Sequence, residues 1–419
     1  MLFSAFINIK FSIILTIVLL VLGLTDKYVN YYKPKMSGHS SFTMKSVVQQ
    51  YRKYIEKNQD LGSSFTVYNG STRILDLVGG YEDLEFEEVW NRNTVTQLFS
   101  VSNVVGVIVV AHLYNRDLLS YNDPLSKYFP SCHESIRNIT ISDILNQKGK
   151  MPYLGKPVSI TDYRDDADIV FQKLLSQLTV VSDTQIFHKY TLSVIIDALI
   201  RQIDPLKRTL VQYFNEEIGY RYHIDLLIGL PRTQIYRAAR IYNPTFRHFL
   251  YAFGYLDIQS IMNRVLGSSD IDSKIESTFL DIQGTKTKNP EILEITLASW
   301  NVFSNADSLG KLFSVLFCGS ENSPPVFKEA TIRRLSELRT TYYDVVIKSY
   351  VSFTTGGFMS FSGPRNVNLH GWRDSTGQFL WIDLTRNLTI SYVTNHVRAS
   401  SLDRDYIHSG LLAEIYNII

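Results

Sequence analysis

Two serines, Ser100 and Ser102, stand just ahead of a long apolar run, residues 104–119. That run is apolar on nearly all sides and reads as a buried helix. A serine at the start of such a helix meets the positive end of its dipole, which favours an alkoxide there. The residue three positions on returns to the same helix face one turn along. After Ser100 that residue is Asn103, and after Ser102 it is Val105. An amide has no accessible basic pKa, so Asn103 cannot act as a general base.

Other chemistries are poorly supplied. The nine histidines show no paired ligand spacing, and the chemistry of the chain calls for no metal and no cofactor. His112 reads as a helix-surface residue and His133 as a turn residue. Cys132 and Cys318 are the two cysteines, with no C-x-x-C motif. One disulfide or two buried thiols both remain open. A net charge of +2 gives no field for nucleic acid. With 45% apolar and 20% charged residues the composition is globular, and 26 Tyr and 23 Phe serve as core and strand material. The acidic run at residues 82–88 reads as a solvated loop.

The elements around these residues follow from periodicity. Residues 64–68 and 74–78 are short β-type runs joined by Asn69-Gly70-Ser71, a hairpin signal placed at a sheet edge. Helices are expected from Val47 to Glu56, over 104–119, from Thr140 to Leu145 with Thr140 and Asp143 as a capping pattern, and over 190–203, 306–318 and 329–338. Strand character returns after Tyr342, over 345–353, 379–383 and 388–393, and a helix over 403–418 closes the chain. β-rich ends flanking a helical middle imply a mainly antiparallel sheet built from both termini, flanked by helices, with a helical subdomain inserted at roughly 120–340.

The N-terminus carries its own signal. Residues 11–25 hold no charge, with Lys10 before them and Asp26 and Lys27 after. That length suits a signal-peptide core better than a bilayer span, which needs about 20 residues. Residues 2–9 are also largely apolar, and if Lys10 snorkels the stretch reaches spanning length. A signal peptide and a signal anchor both stay open for residues 1–25. Residues 26–45 read as a linker and 46–419 as the folded domain. The protein is expected to be membrane-anchored with a lumenal or extracellular domain, or secreted. Sequons at Asn69, Asn138 and Asn387 fit that side of the membrane and are glycosylation candidates.

Residues 90–130 (WNRNTVTQLFSVSNVVGVIVVAHLYNRDLLSYNDPLSKYFP) resemble the nucleophile region of the class C β-lactamase-related and penicillin-binding-protein-like serine hydrolases. In that family a Thr-containing strand leads into F-S-x-x-K, a buried helix and a D-P-x-x-x-Y-x-P turn. Three later stretches keep step: residues 139–152 (ITISDILNQKGKMP), residues 187–231 (FHKYTLSVII…DLLIGLP) and residues 304–316 (SNADSLGKLFSVL). Order and spacing hold from about residue 45 to 419, and the closest flavour is the animal β-lactamase-like branch. The resemblance implies an α+β fold of β-lactamase/transpeptidase type and a serine acyl-transfer mechanism, with Ser100 in the nucleophile position.

It also implies that the catalytic set is depleted. Asn103 stands in the family's Lys position. Phe187 stands in the Tyr position, keeping the ring and losing the hydroxyl. His370 matches the H-x-G strand, but Trp372 replaces its glycine, and about two extra residues lie within 373–377, which should narrow or reshape the cleft. Lys189 takes the position where many relatives carry Asn, so a lysine and an asparagine look exchanged. Two functional readings follow. In one the chain is a pseudoenzyme that acts by binding an unknown small-molecule, peptide or protein ligand at the cleft. In the other it is a rewired esterase-, peptidase- or β-lactamase-like hydrolase with Lys189, or conceivably His188, as base toward Ser100. A third reading sets the resemblance aside for an unrelated membrane-anchored glycoprotein.

Overall fold

The computed structural model describes residues 34–148, 151–176, 185–245, 270–280, 289–319, 323–347, 349–398 and 404–419, together with Ser12, Ile13, Thr16, Ile17, His248 and Ala252. The expected targeting segment lies almost wholly outside the described residues. Among the described residues no helix is long and apolar enough to cross a membrane.

One large antiparallel sheet organises the molecule. Its strands are β1 (Met36–Ser40), β2 (Gly62–Asn69), β3 (Thr72–Asp83), β4 (Glu88–Val89), β8 (Leu338–Asp344), β9 (Ser349–Thr354), β10 (Met359–Ser362), β11 (Asn368–Arg373), β12 (Phe379–Asp383) and β13 (Leu388–Thr394), in the order β1-β3-β2-β13-β12-β11-β10-β9-β8 with β4 on β3. The two chain ends meet at the centre, where β13 pairs β2 from Leu388↔Asn69 to Thr394↔Ser63. β12 and β13 are buried along their whole length because helices cover both faces, and both strands are rich in β-branched and aromatic residues. A second sheet holds β5 (Thr96–Gln97), β6 (Leu226–Ile228) and β7 (Val302–Ser304) in the order β5-β7-β6.

Helices α1 (Lys45–Glu56) and α9 (Tyr406–Ile418) lie together on one face of the large sheet. On that side Tyr51 stacks on Phe65, and Phe361 stacks on Trp381 beside His408. The opposite face carries α2 (Asn103–Asn115), α7 (Ala306–Phe313) and α8 (Glu329–Ser336). Helices α3 (Ile141–Leu145), α4 (Ala167–Ser176), α5 (Thr191–Ile203) and α6 (Asp270–Glu276) belong to the inserted middle. The capping box at the head of α3 forms from Thr140 and Asp143, as their spacing predicts.

Several expectations change in place. Met36–Ser40, inside the stretch read as a linker, pairs with β3. The hairpin of β2 and β3 is therefore interior, and the edge belongs to β1. Its turn uses Gly70 at φ +57°, a conformation that suits glycine. The helix expected over 329–338 stops at Ser336, and β8 starts at Leu338 rather than after Tyr342. Residues 345–347 form the turn before β9, because the Asp344 carboxylate accepts from the Val346 and Ile347 N–H groups at 2.9 Å each. His112 is buried, not on a helix surface, and its Nδ1 is 2.9 Å from the Tyr213 hydroxyl. Its neighbours on α2 are apolar on every side, so no surface stripe exists for it to occupy. Cys132 and Cys318 are both free. Asn69, Asn138 and Asn387 are all exposed, and the first and last sit side by side where two turns meet, with the Gly70 N–H donating to the Asn387 carbonyl at 2.7 Å.

Candidate active site

Ser100 sits in a single 3-10 turn, Phe99–Ser102, between β5 and α2. The sequence forces a sharp corner here. β5 is tied into the second sheet, and the apolar α2 must enter the core at once. Phe99 absorbs the bend with φ +46°, an uncommon conformation for a bulky side chain and a local store of strain. Ser100 is half-exposed at that corner, and the turn packs on β11.

Asn103, the first residue of α2, is buried and turns back on its own turn. Its Nδ2 donates to the Ser100 carbonyl at 2.8 Å, while its Oδ1 has no partner among the described residues. Beside it Gly106, Leu192, Ser193, Ile196, Ala298 and Ser299 border a narrow crevice with no room for a water molecule. Phe187 is buried ahead of α5. Its backbone N–H approaches the carboxyl of Asp344, so the turn between β8 and β9 covers the segment that resembles the family's Tyr motif.

The acid–base groups of that segment have other partners than the serine. His188 is fully buried, gives its backbone N–H to Gln147 Oε1 at 2.8 Å, and has no side-chain partner among the described residues. Loss of solvent holds its imidazole neutral, with a pKa of about 3. Lys189 is salt-bridged to Glu276 of α6, which also accepts from the Tyr190 hydroxyl at 3.1 Å, and its ammonium lies 5.1 Å from the Tyr190 ring centroid. On β11 the alternation puts His370 and Trp372 on one face. Burial also lowers the His370 pKa, to about 4. The Trp372 indole is buried in the core, its ring centroid 5.6 Å from that of Phe353.

Two residues that matter here were not singled out from the sequence. Asp374, just beyond β11, is buried, and its Oδ2 accepts the Ser100 backbone N–H at 3.2 Å. Its Oδ1 accepts the Thr376 N–H at 2.6 Å and also the Thr376 hydroxyl. Burial pushes its pKa up, and those hydrogen bonds pull it part of the way back. The run Asp374-Ser375-Thr376-Gly377 is an Asx-turn signal inside the stretch that carries the extra residues, so its shape was legible while its partner was not.

The second is Asp344. Burial raises its carboxyl to about 6. The folded-state pKa then exceeds the unfolded one, so this group's contribution to stability is present near pH 4 and is lost as pH rises through 6. Replacing Asp344→Asn should flatten the change in urea midpoint between pH 4 and 7 and leave the variant at least as stable as wild type at pH 7. An unchanged slope would place the titration elsewhere.

The model of the Beta-lactamase family matches residues 47–413. Among solved structures, a penicillin-binding protein homologue from Caulobacter crescentus superposes with TM-score 0.78 at 20% identity, over 92% of this chain and 100% of its own. A family VIII carboxylesterase gives TM-score 0.74 at 17% identity, over 92% and 100%. A class C β-lactamase from Rhodobacter sphaeroides gives 0.55 at 15%, over 89% and 98%. No curated protein matches. At such low identities these likenesses speak for the fold alone, and it is the family match across most of the chain that decides: this chain belongs to the beta-lactamase family.

Proposed function

We propose that the chain is a catalytically impaired member of this family that acts by binding, presented outside the cytosol behind its N-terminal segment. The observation that carries the reading is the state of the base position. The Asn103 amide is spent on the Ser100 carbonyl and faces a gap that excludes water. Asn103 itself offers no basic group at that position to take the serine proton. Phe187 offers no hydroxyl in the other position. The substitute base considered from the sequence, Lys189, is engaged by Glu276. Proton-transfer assistance is worth about 10²- to 10⁴-fold per positioned group, so losing both leaves little beyond binding and oxyanion effects.

The test is reaction of the full-length chain with a fluorophosphonate serine probe, beside Ser100→Ala. Folded wild-type protein is expected to label no faster than Ser100→Ala. Labelling that depends on Ser100 would overturn the reading, and Lys189→Ala would then show whether the rewired route operates.

A further inference from the structure

Where the nucleophilic serine's own backbone N–H is one of the oxyanion donors, it must be free to face the oxygen on which negative charge develops. Here the donor is taken. The Ser100 N–H points at Asp374 Oδ2, and the Ser100 hydroxyl lies against the same carboxylate. We propose that Asp374 is a built-in occupant of the acyl-oxygen site, a carboxylate of the chain's own that keeps substrate carbonyls and tetrahedral oxyanions off Ser100. The proposal rests on Ser100 holding the nucleophile position and adds a second block to the missing base.

The turn that carries Asp374 is fastened on three sides. Its backbone closes on itself, Asp374 N–H to the Gln378 carbonyl at 3.0 Å and Gly377 N–H to the Asp374 carbonyl at 3.1 Å. Gln378 Nε2 donates to the Gln97 carbonyl of β5 at 2.9 Å, which ties the turn to the strand that delivers Ser100. Gly377, at φ +94°, sits so close to Arg398 that a Cβ there would come within 2.5 Å of its Nε. A turn held this way cannot swing aside for a ligand at small cost. Its charge has the sign of the oxyanion, so it both blocks the donor and repels what the donor would stabilise.

A carboxylate against a serine hydroxyl can also act as a base. The two roles predict opposite results. A base is needed for reactivity, whereas an occupant suppresses it. In Asp374→Asn the Oδ1 acceptor of the Thr376 bonds can be kept, while the acceptor on the Ser100 N–H becomes a second donor.

The experiment is calorimetric titration of the full-length chain with phenylboronic acid. Boron forms a bond to the Ser100 oxygen, the hydroxyl proton passes to solvent, and the tetrahedral anion places an oxygen at the occupied donor. This equilibrium needs no general base, so it reads Asp374 separately from Asn103 and Phe187. Asp374→Asn is expected to bind at least about 100-fold tighter than wild type, and Asp374→Asn with Ser100→Ala to lose that gain. Asp374→Ser, which keeps a side chain able to close the turn, serves where the Asn variant does not fold. Equal affinity in folded wild type and variant, no binding by either included, overturns the proposal, as does tighter binding by wild type. Fluorophosphonate labelling of wild type overturns the impaired-enzyme reading instead, so the two failures are told apart.

Discussion

Installing Asn103→Lys together with Phe187→Tyr is expected to leave the fluorophosphonate reactivity of Ser100 within about tenfold of wild type, and adding Asp374→Asn is expected to raise it at least about 10³-fold. The double change supplies a base and a hydroxyl where relatives of this motif carry them. The serine would still attack beneath a buried carboxylate held on its own N–H. Only the third change opens that donor. Because groups acting in one step are not additive, the triple variant should exceed the product of the double variant and Asp374→Asn taken separately. The measurement is the pseudo-first-order labelling rate, with Ser100→Ala in each background. A double variant that already reaches the triple's rate would remove Asp374 from the account.

The fold and the site were legible to different degrees, for physical reasons. β12 and β13 announce themselves because both of their faces are buried, and the apolar run after Ser100 announces α2 for the same reason. The boundaries between helix and strand around residue 337 were harder. Leu338 to Tyr343 is largely exposed on its edge strand, so it lacks the alternation that marks a half-buried one. Met36–Ser40 was read as linker because a five-residue edge strand rich in Ser and Gly has almost no β signature, and its pairing to β3 is decided by the partner. Ser100, Asn103 and Phe187 were singled out because they fall on a motif with fixed spacing. Asp374 was missed because its meaning is tertiary. It lies 274 residues from Ser100, and no local pattern says that a turn-capping aspartate will also receive the serine's N–H.

The largest loss of stability is expected from Arg398→Met, at about 3–5 kcal/mol. Arg398 is almost wholly buried, and its guanidinium donates to Asp60 Oδ1 at 3.1 Å and to the Tyr392 hydroxyl at 2.8 Å, with Asp405 Oδ2 3.5 Å from its Nε. Thr394 adds a hydroxyl on Asp60 Oδ1 at 2.8 Å, and the Tyr392 hydroxyl donates to the same carboxylate. These residues join the start of β2, the end of β13 and the N-cap of α9, where Asp405 Oδ1 accepts from Ile407 N–H at 2.9 Å. Methionine fills much of the same volume but leaves two buried carboxylates without their cation, and the cost is that of an uncompensated charge, not of lost packing. The double change Arg398→Met with Asp60→Asn should therefore cost less than the sum of the two single changes, because the second substitution removes the charge that the first one strands. Urea denaturation of the four proteins closes the cycle. Since Gly377 rests directly on Arg398, the same substitution also loosens the floor beneath the Asp374 turn. Arg398→Met is then expected to bind phenylboronic acid more tightly than wild type at temperatures where it stays folded, and a variant that loses several kcal/mol without any such gain would show that the turn holds Asp374 on Ser100 through its bonds to Gln97 and Thr376 alone.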